Sequence, residues 1–240
     1  GLSGALSING LGTDYSVVIL RVFWHQGDET VHTLTRNDSQ VQLLGGPHDA
    51  RDMKTVGLTY FKLGIEHILT GLDHVSFVIS LLLLVGYQRR LIWTISAFTL
   101  AHSLTFVSSS MGWLVLRSAP VEITIALSIM LVASEALKEK RTLTSAWPAP
   151  VAFAFGLFHG LGFAGALKEI GLPEVHLSTA LVTFNLGFEA GQLFILGASW
   201  MIGMMLGPVT KRIKFRLPVL YVIGALASYW TIMRLLLLAH

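Results

Sequence analysis

Long apolar blocks fill most of the chain, at roughly 60–87, 91–113, 120–137, 149–167, 177–206 and 217–237. Each is near the ~20 residues a helix needs to cross hydrocarbon, so the pattern predicts six transmembrane helices. The third and fourth blocks are short, and the fifth is long enough to tilt or project beyond the bilayer. Residues 1–55 are patterned differently. Residues 15–24 are rich in β-branched and aromatic side chains, Gln26-Gly27-Asp28-Glu29 reads as a turn, and residues 30–36 read as a second strand. Residues 41–44 form a third, ended by Gly45-Gly46-Pro47. So few short strands are marginal alone, and they are expected either to end a larger β domain or to rest on the membrane part. The predicted fold is an all-α membrane bundle of about six helices (residues 56–240) behind a short extracytoplasmic β-rich segment (residues 1–55).

Charge flanking the blocks orients them. Arg89 and Arg90, then Lys138, Lys140 and Arg141, then Lys211, Arg212, Lys214 and Arg216 occupy alternate connections, against only Arg117 and Lys168 in the others. The positive-inside rule places the richer set in the cytoplasm of what we read as a bacterial inner membrane. Six spans then leave both termini outside. Trp93, Trp113, Trp147 and Trp230 lie near block ends, as an interfacial aromatic belt should. An outer N-terminus with no leader pattern at Gly1 leads us to expect a leader or further outer sequence upstream.

Composition agrees with membrane spans. Only 13% of residues are charged, where a soluble domain carries about 25%. The net charge of +3 is too small to suggest nucleic acid, and its basic residues are already explained by topology. There is no cysteine, which leaves imidazole, carboxylate and hydroxyl groups as metal ligands.

Against this background Glu66, His67, Asp73, His74, His102, Glu122, His159 and Glu189 stand out, because each falls inside or at the edge of an apolar block. An ionisable group at mid-membrane costs at least ~2.5–3.5 kcal/mol even on the mildest scale, so such a set requires partners, and a cation is the most economical one. At 1.5 Å per residue His74, His102, His159 and Glu189 fall at similar depth, with His67 and Glu122 nearer the outer face. Four helices can therefore aim side chains at one mid-plane pocket. His67 and His74 are seven residues apart, which is about 10 Å along an unbroken helix. They share one ion if Thr70-Gly71 breaks the helix, and otherwise mark two stations on a path. Asp73 either ligates or fixes a histidine tautomer.

Other polar groups form stripes. Ser178, Asn185, Glu189 and Gln192 share one face of the fifth block. Ser103, Thr105 and Ser109 follow His102, and the third block adds Ser128. Interhelical hydrogen bonding explains the hydroxyls. Asn185 and Gln192 are costlier to bury, and with Glu122 and Ser128 are read as supporting the ligands. Glu66 has Lys62 one turn earlier, so a plain interfacial ion pair accounts for it equally well. Gly156, Gly160 and Ala164 around His159, and Gly187 and Gly191 around Glu189, are spaced to let helices approach closely.

The segment Glu66-His67-Ile68-Leu69-Thr70-Gly71-Leu72-Asp73-His74 resembles the His, five residues, Asp-His signature of the HupE/UreJ membrane proteins. Ala101-His102-Ser103-Leu104-Thr105, Phe158-His159-Gly160 and Phe184-Asn185-Leu186-Gly187-Phe188-Glu189 continue the likeness over residues 57–237. The family is associated with nickel uptake for hydrogenase and urease, and the resemblance implies His67, Asp73, His74 and His159 as metal contacts. The nickel-permease branch follows Phe-His-Gly with a second His and a Glu. Here Phe163 and Ala166 stand in those places, and the chain is more similar to the family's second branch.

Two functions are weighed. The first is a divalent-cation permease for Ni²⁺, Co²⁺ or Zn²⁺ using His67, Asp73, His74, His102, His159 and Glu189, with outer groups handing the ion inward. The second is a zinc hydrolase acting on a lipid or lipid-linked substrate, with Asp73 or Glu189 as base and Ser103 or Ser128 orienting the substrate. A sensor or assembly factor with a structural ion ranks third. Expected partners are membrane lipid and the metal ion. Assembly as a homo-oligomer is common at this size, but no interface is legible.

Overall fold

The computed structural model describes residues 4–7, 17–23, 29–35, 40–43, 52–114, 116–138, 140, 142–170, 176–205 and 216–239. Four short strands come first: β1 (Gly4–Ser7), β2 (Val17–Phe23), β3 (Glu29–Thr35) and β4 (Gln40–Leu43). β2 and β3 pair antiparallel from Val17 opposite Thr35 to Phe23 opposite Glu29, and β1 pairs antiparallel with β4. Gln26, Gly27 and Asp28 of the predicted turn, and Gly45-Gly46-Pro47, lie outside the described residues.

The rest is helical: α1 (Met53–Thr70), α2 (Leu72–Val85), α3 (Arg89–Ser110), α4 (Ser118–Leu137), the short α5 (Leu143–Ala146), α6 (Pro148–Ile170), α7 (Leu177–Met205) and α8 (Arg216–Ala239). Among the described residues α3, α4, α7 and α8 are each long and apolar enough to cross a membrane alone. The chain is therefore a multi-pass membrane protein.

The first predicted span is corrected. It is not one rod but two helices, α1 and α2, bent by 70° at Gly71. Counted as one unit they bring the spans to five; the described apolar stretch of α6, Pro148–Gly162, is shorter than a full crossing. The expectation of six thus stands at four to five among the described residues. Lys211, Arg212, Lys214 and Arg141, which carry part of the orientation, lie outside those residues. Trp93, Trp113 and Trp147 are exposed, as belt residues should be. Trp230 instead packs against the core, because it sits well inside α8 and not at its end.

α3 runs along α6, α1 along α7, and α4 along α8, with α2 inserted against α4. Glycines set the first two spacings. A Cβ on Gly160 would run into the His102 carbonyl oxygen and the Thr105 hydroxyl, and one on Gly187 into the Phe61 carbonyl. The small-residue pattern around His159 and Glu189 is thus used for close helix approach. Outward faces carry Ile92, Leu100, Leu104, Phe194 and Tyr221, all exposed, as a surface facing hydrocarbon requires.

Candidate metal centre

The break between α1 and α2 is the local event that builds the site. The Gly71 N–H donates to the His67 carbonyl (3.0 Å), ending α1, and the Gly71 carbonyl accepts from the Val75 N–H (3.0 Å), starting α2. One residue thus serves both helix ends and leaves neither backbone group without a partner, which apolar surroundings would penalise. The bend carries His67, in the last turn of α1, to the first turn of α2, where His74 sits. Their ring centroids are 4.7 Å apart, where a straight helix would hold them about 10 Å apart along its axis. Of the two arrangements open from the sequence, the structure adopts the broken helix with the two rings adjacent.

α3 adds His102, with centroids 5.6 Å from His74 and 6.3 Å from His67. One ligand nitrogen from each of His67, His74 and His102 lies within 4.8 Å of the others, a group able to hold a metal ion. Nitrogens bound at ~2.1 Å to one tetrahedral ion sit about 3.4 Å apart, so rotamer shifts of about 1.4 Å at most would close the group on a cation. α6 brings His159 to 5.2 Å from His74, and the Ser128 hydroxyl of α4 lies 2.9 Å from His159 Nε2. That contact fixes the ring and leaves its other nitrogen, Nδ1, without a hydrogen-bond partner among the described residues.

The burial of these rings tests whether a cation fits. His102 and His159 are fully buried and His74 nearly so. His74 Nε2, both ring nitrogens of His102, and His159 Nδ1 are buried with no hydrogen-bond partner. Each such orphan costs roughly 1–3 kcal/mol, and native interiors hold few of them. A borderline transition-metal ion takes the lone-pair nitrogen of each ring, one per histidine, and the second His102 nitrogen stays an N–H donor.

Aromatic rings close the cluster on its flank. His102 stacks face to face on Phe188 of α7 (4.4 Å, 8°), and Phe98 and Phe77 abut His159 at 5.1 and 4.9 Å. In another direction a cavity of about 300 Å³ leads away, lined by His67, His74 and His159 and then by Asp73, Glu122 and Arg234. Arg234 Nη2 donates to Asp73 Oδ2 (3.2 Å), its Nε lies 3.3 Å from Glu122 Oε2, and its Nη1 donates to the Glu122 carbonyl (3.1 Å).

The residues named from sequence therefore divide. His67, His74, His102 and His159 come together, with Ser128 behind His159. Asp73 and Glu122 line the same cavity, but both are held by Arg234 and neither belongs to the group of ligand atoms. Glu189 is not brought to the imidazoles. It lines a separate apolar groove of about 800 Å³ between α3 and α7, with Ser103 and Asn185. Ser103 donates to Asn185 Oδ1 (2.6 Å) and Thr99 to Gln192 Oε1 (2.6 Å), so Asn185 and Gln192 tie α7 to α3, the helix that carries His102. The reason is azimuthal: Phe188 and Glu189 are one residue apart, hence about 100° apart around α7. The packed side takes Phe188. Glu66 is exposed and forms no ion pair with Lys62 among the described residues. Phe163 and Ala166 lie on α6.

Arg234 is the member that sequence reading missed. Its signal was present: an arginine within the last apolar block is a functional candidate by default.

A bundle of apolar helices, one of them broken so that its two imidazoles meet those of two others, defines a polytopic membrane protein with a buried polyhistidine centre. The profile of the HupE / UreJ protein family matches residues 47–234, most of the chain, and the chain belongs to this family. The family is associated with nickel and cobalt transport. No curated protein and no solved structure gives a match.

Proposed function

We propose that this protein carries a divalent transition-metal cation, Ni²⁺, Co²⁺ or Zn²⁺, across the bacterial inner membrane through the histidine centre. The observation that carries the reading is the convergence of His67, His74 and His102 within 4.8 Å, made by the bend at Gly71. Imidazole suits these ions, and ligands drawn from separately moving helices allow the staged, reversible binding that passage requires. Broken helices at a mid-membrane site are a recurring device of transporters.

The cavity supplies an approach. Its lining includes the beginning of α4 (Glu122) and the far end of α8 (Arg234), which the positive-inside reading assigns to the outer face. An ion entering there meets carboxylates first and imidazoles next. Beyond the imidazoles Phe77, Phe98 and Phe188 are buried and packed, so release toward the cytoplasm requires a second arrangement of the helices. α6 is read as the remaining span of a six-span bundle.

The apolar groove between α3 and α7 favours the alternative, a zinc-dependent hydrolase of lipid or lipid-linked substrates. That reading ranks second. Of its candidate groups, Ser103 and Glu189 line the groove and not the histidine cavity, while Asp73 and Ser128 are at the histidines but are engaged by Arg234 and His159.

The test is uptake of Ni²⁺, Co²⁺ and Zn²⁺ by proteoliposomes, read as entrapped metal. Wild-type protein should load at least one of the three, and His74→Ala and His102→Ala should each abolish loading while still reconstituting as folded protein. Undiminished uptake in both variants would refute the assignment.

A further inference from the structure

Arg234 raises a question the transport reading leaves open: why a cation pathway should hold a permanent positive charge. A guanidinium cannot lose its proton at any accessible pH. It lies in the same cavity as His67, His74 and His159, and it is held by groups from two helices, Asp73 of α2 and Glu122 of α4. Asp73 and Arg234 are about three-quarters buried, and Glu122 is about half-exposed toward the opening. Two carboxylates so close would repel each other, and something cationic has to sit between them. Arginine suits the place because its fork addresses both at once, where a lysine would act as a point charge.

Resting on that reading, we propose that Asp73 and Glu122 form a second, outer cation station, occupied at rest by Arg234 as a built-in counter-cation that the entering ion displaces. With Arg234 seated, the two carboxylates and the guanidinium leave a single net negative charge. With it displaced they present two, the charge of a divalent ion. The donors there are oxygens, which receive a partly hydrated ion more readily than the imidazoles do. The unpartnered, buried Nε2 of His74 in the same cavity is the next donor inward. Arg234 also has somewhere to remain. Its Nη1 bond to the Glu122 main-chain carbonyl does not involve either carboxylate, so the fork can rotate off them without leaving α4. The outer station is thus masked whenever no ion is present, and the two stations lie in line along one cavity.

The experiment counts Co²⁺ bound per chain in detergent-purified protein by equilibrium dialysis and elemental analysis. At Co²⁺ concentrations that saturate the imidazoles without displacing Arg234, wild type should bind about one ion, at the imidazoles. Arg234→Gln should unmask the outer station and bind about two, and Arg234→Gln with Glu122→Gln should return to about one. Arg234→Gln with His102→Ala should also bind about one, now on oxygen donors, distinguishable by the weaker visible absorption of the cobalt. An Arg234→Gln protein that stays at one ion, or a second ion indifferent to Glu122→Gln, would overturn the proposal. Arg234→Lys preserves the charge and serves as the second measure. A lysine engages the carboxylates one at a time, so its half-saturating concentration for uptake should fall below wild type; an unchanged or higher value counts against masking. Failure of the histidine variants to alter binding would instead strike the inner centre and leave the Arg234 and Glu122 dependence standing.

Discussion

Replacing Gly71 by alanine tests whether the bend between α1 and α2 is tuned to the metal or merely tolerated. The backbone there is ordinary, with φ −73° and ψ 92°, so alanine brings no left-handed strain. Space is the issue. A Cβ on Gly71 would stand 2.8 Å from the His67 carbonyl oxygen and 3.0 Å from His74 Nδ1, where ordinary contact begins at 3.4 Å. The His74 ring must therefore retreat by about 0.4 Å, and the His67 carbonyl by about 0.6 Å, or the bend must open. The displacement constrains the His74 ring, one of the groups that must move by up to about 1.4 Å to close on an ion at bonding distance. We expect a stability loss of about 1–3 kcal/mol, the usual cost of overpacking. Co²⁺ affinity should fall by about 10- to 100-fold, the scale seen when a ligand loses its positioning. The assay is calorimetric titration of detergent-purified protein, with thermal melting monitored by circular dichroism on the same samples. Gly197→Ala is the matched control, since a Cβ at that position meets nothing within 4 Å. Wild-type affinity in Gly71→Ala, or equal losses in Gly71→Ala and Gly197→Ala, would refute the link between the bend and the ion.

Three further outcomes are expected. Ser128→Ala removes the 2.9 Å contact to His159 Nε2 and should lower Co²⁺ affinity by about tenfold, with a stability cost of about 0.5–1.5 kcal/mol, by the same titration and melt. Gly160→Ala places a methyl group against the His102 carbonyl and should cost about 1–3 kcal/mol and lower the apparent melting temperature, because α3 and α6 must separate. Glu189→Gln should leave metal content unchanged by elemental analysis, since that carboxylate lines the other groove; a loss of bound metal would show that Glu189 reaches the centre after all.

Hydropathy made the membrane character legible, because apolar runs of this length have few other uses. The histidine signature made the centre legible, since burying that many imidazoles has few explanations besides an ion. What stayed hidden was rotation. Depth along a helix follows from residue number, but which neighbour a side chain meets follows from packing of the whole bundle. Glu189 and His102 share a depth and yet part company, because Phe188 fills the inward position on α7. The stripe of Asn185, Glu189 and Gln192 was visible, but its partner, the α3 face bearing Thr99 and Ser103, was not. The break at Gly71 was half legible: glycine permits it, but only tertiary contacts decide whether it is taken. Arg234 escaped notice for a different reason. Its place in an apolar block marks it as a candidate, but near a helix end it reads equally as an interfacial charge, and its two acidic partners, far away in sequence, show which it is.

If the centre holds an ion as proposed, the face-to-face contact of His102 with Phe188 bears on the phase from which it is approached. The ring pair stands at the centre on the α7 side, whereas the cavity bearing Asp73, Glu122 and Arg234 has the polar lining that favours water. A chelator dissolved in the hydrocarbon should therefore leave the ion in place, and one confined to the aqueous side should strip it. This membrane-embedded centre would then answer chemically to the solution outside and not to the bilayer around it.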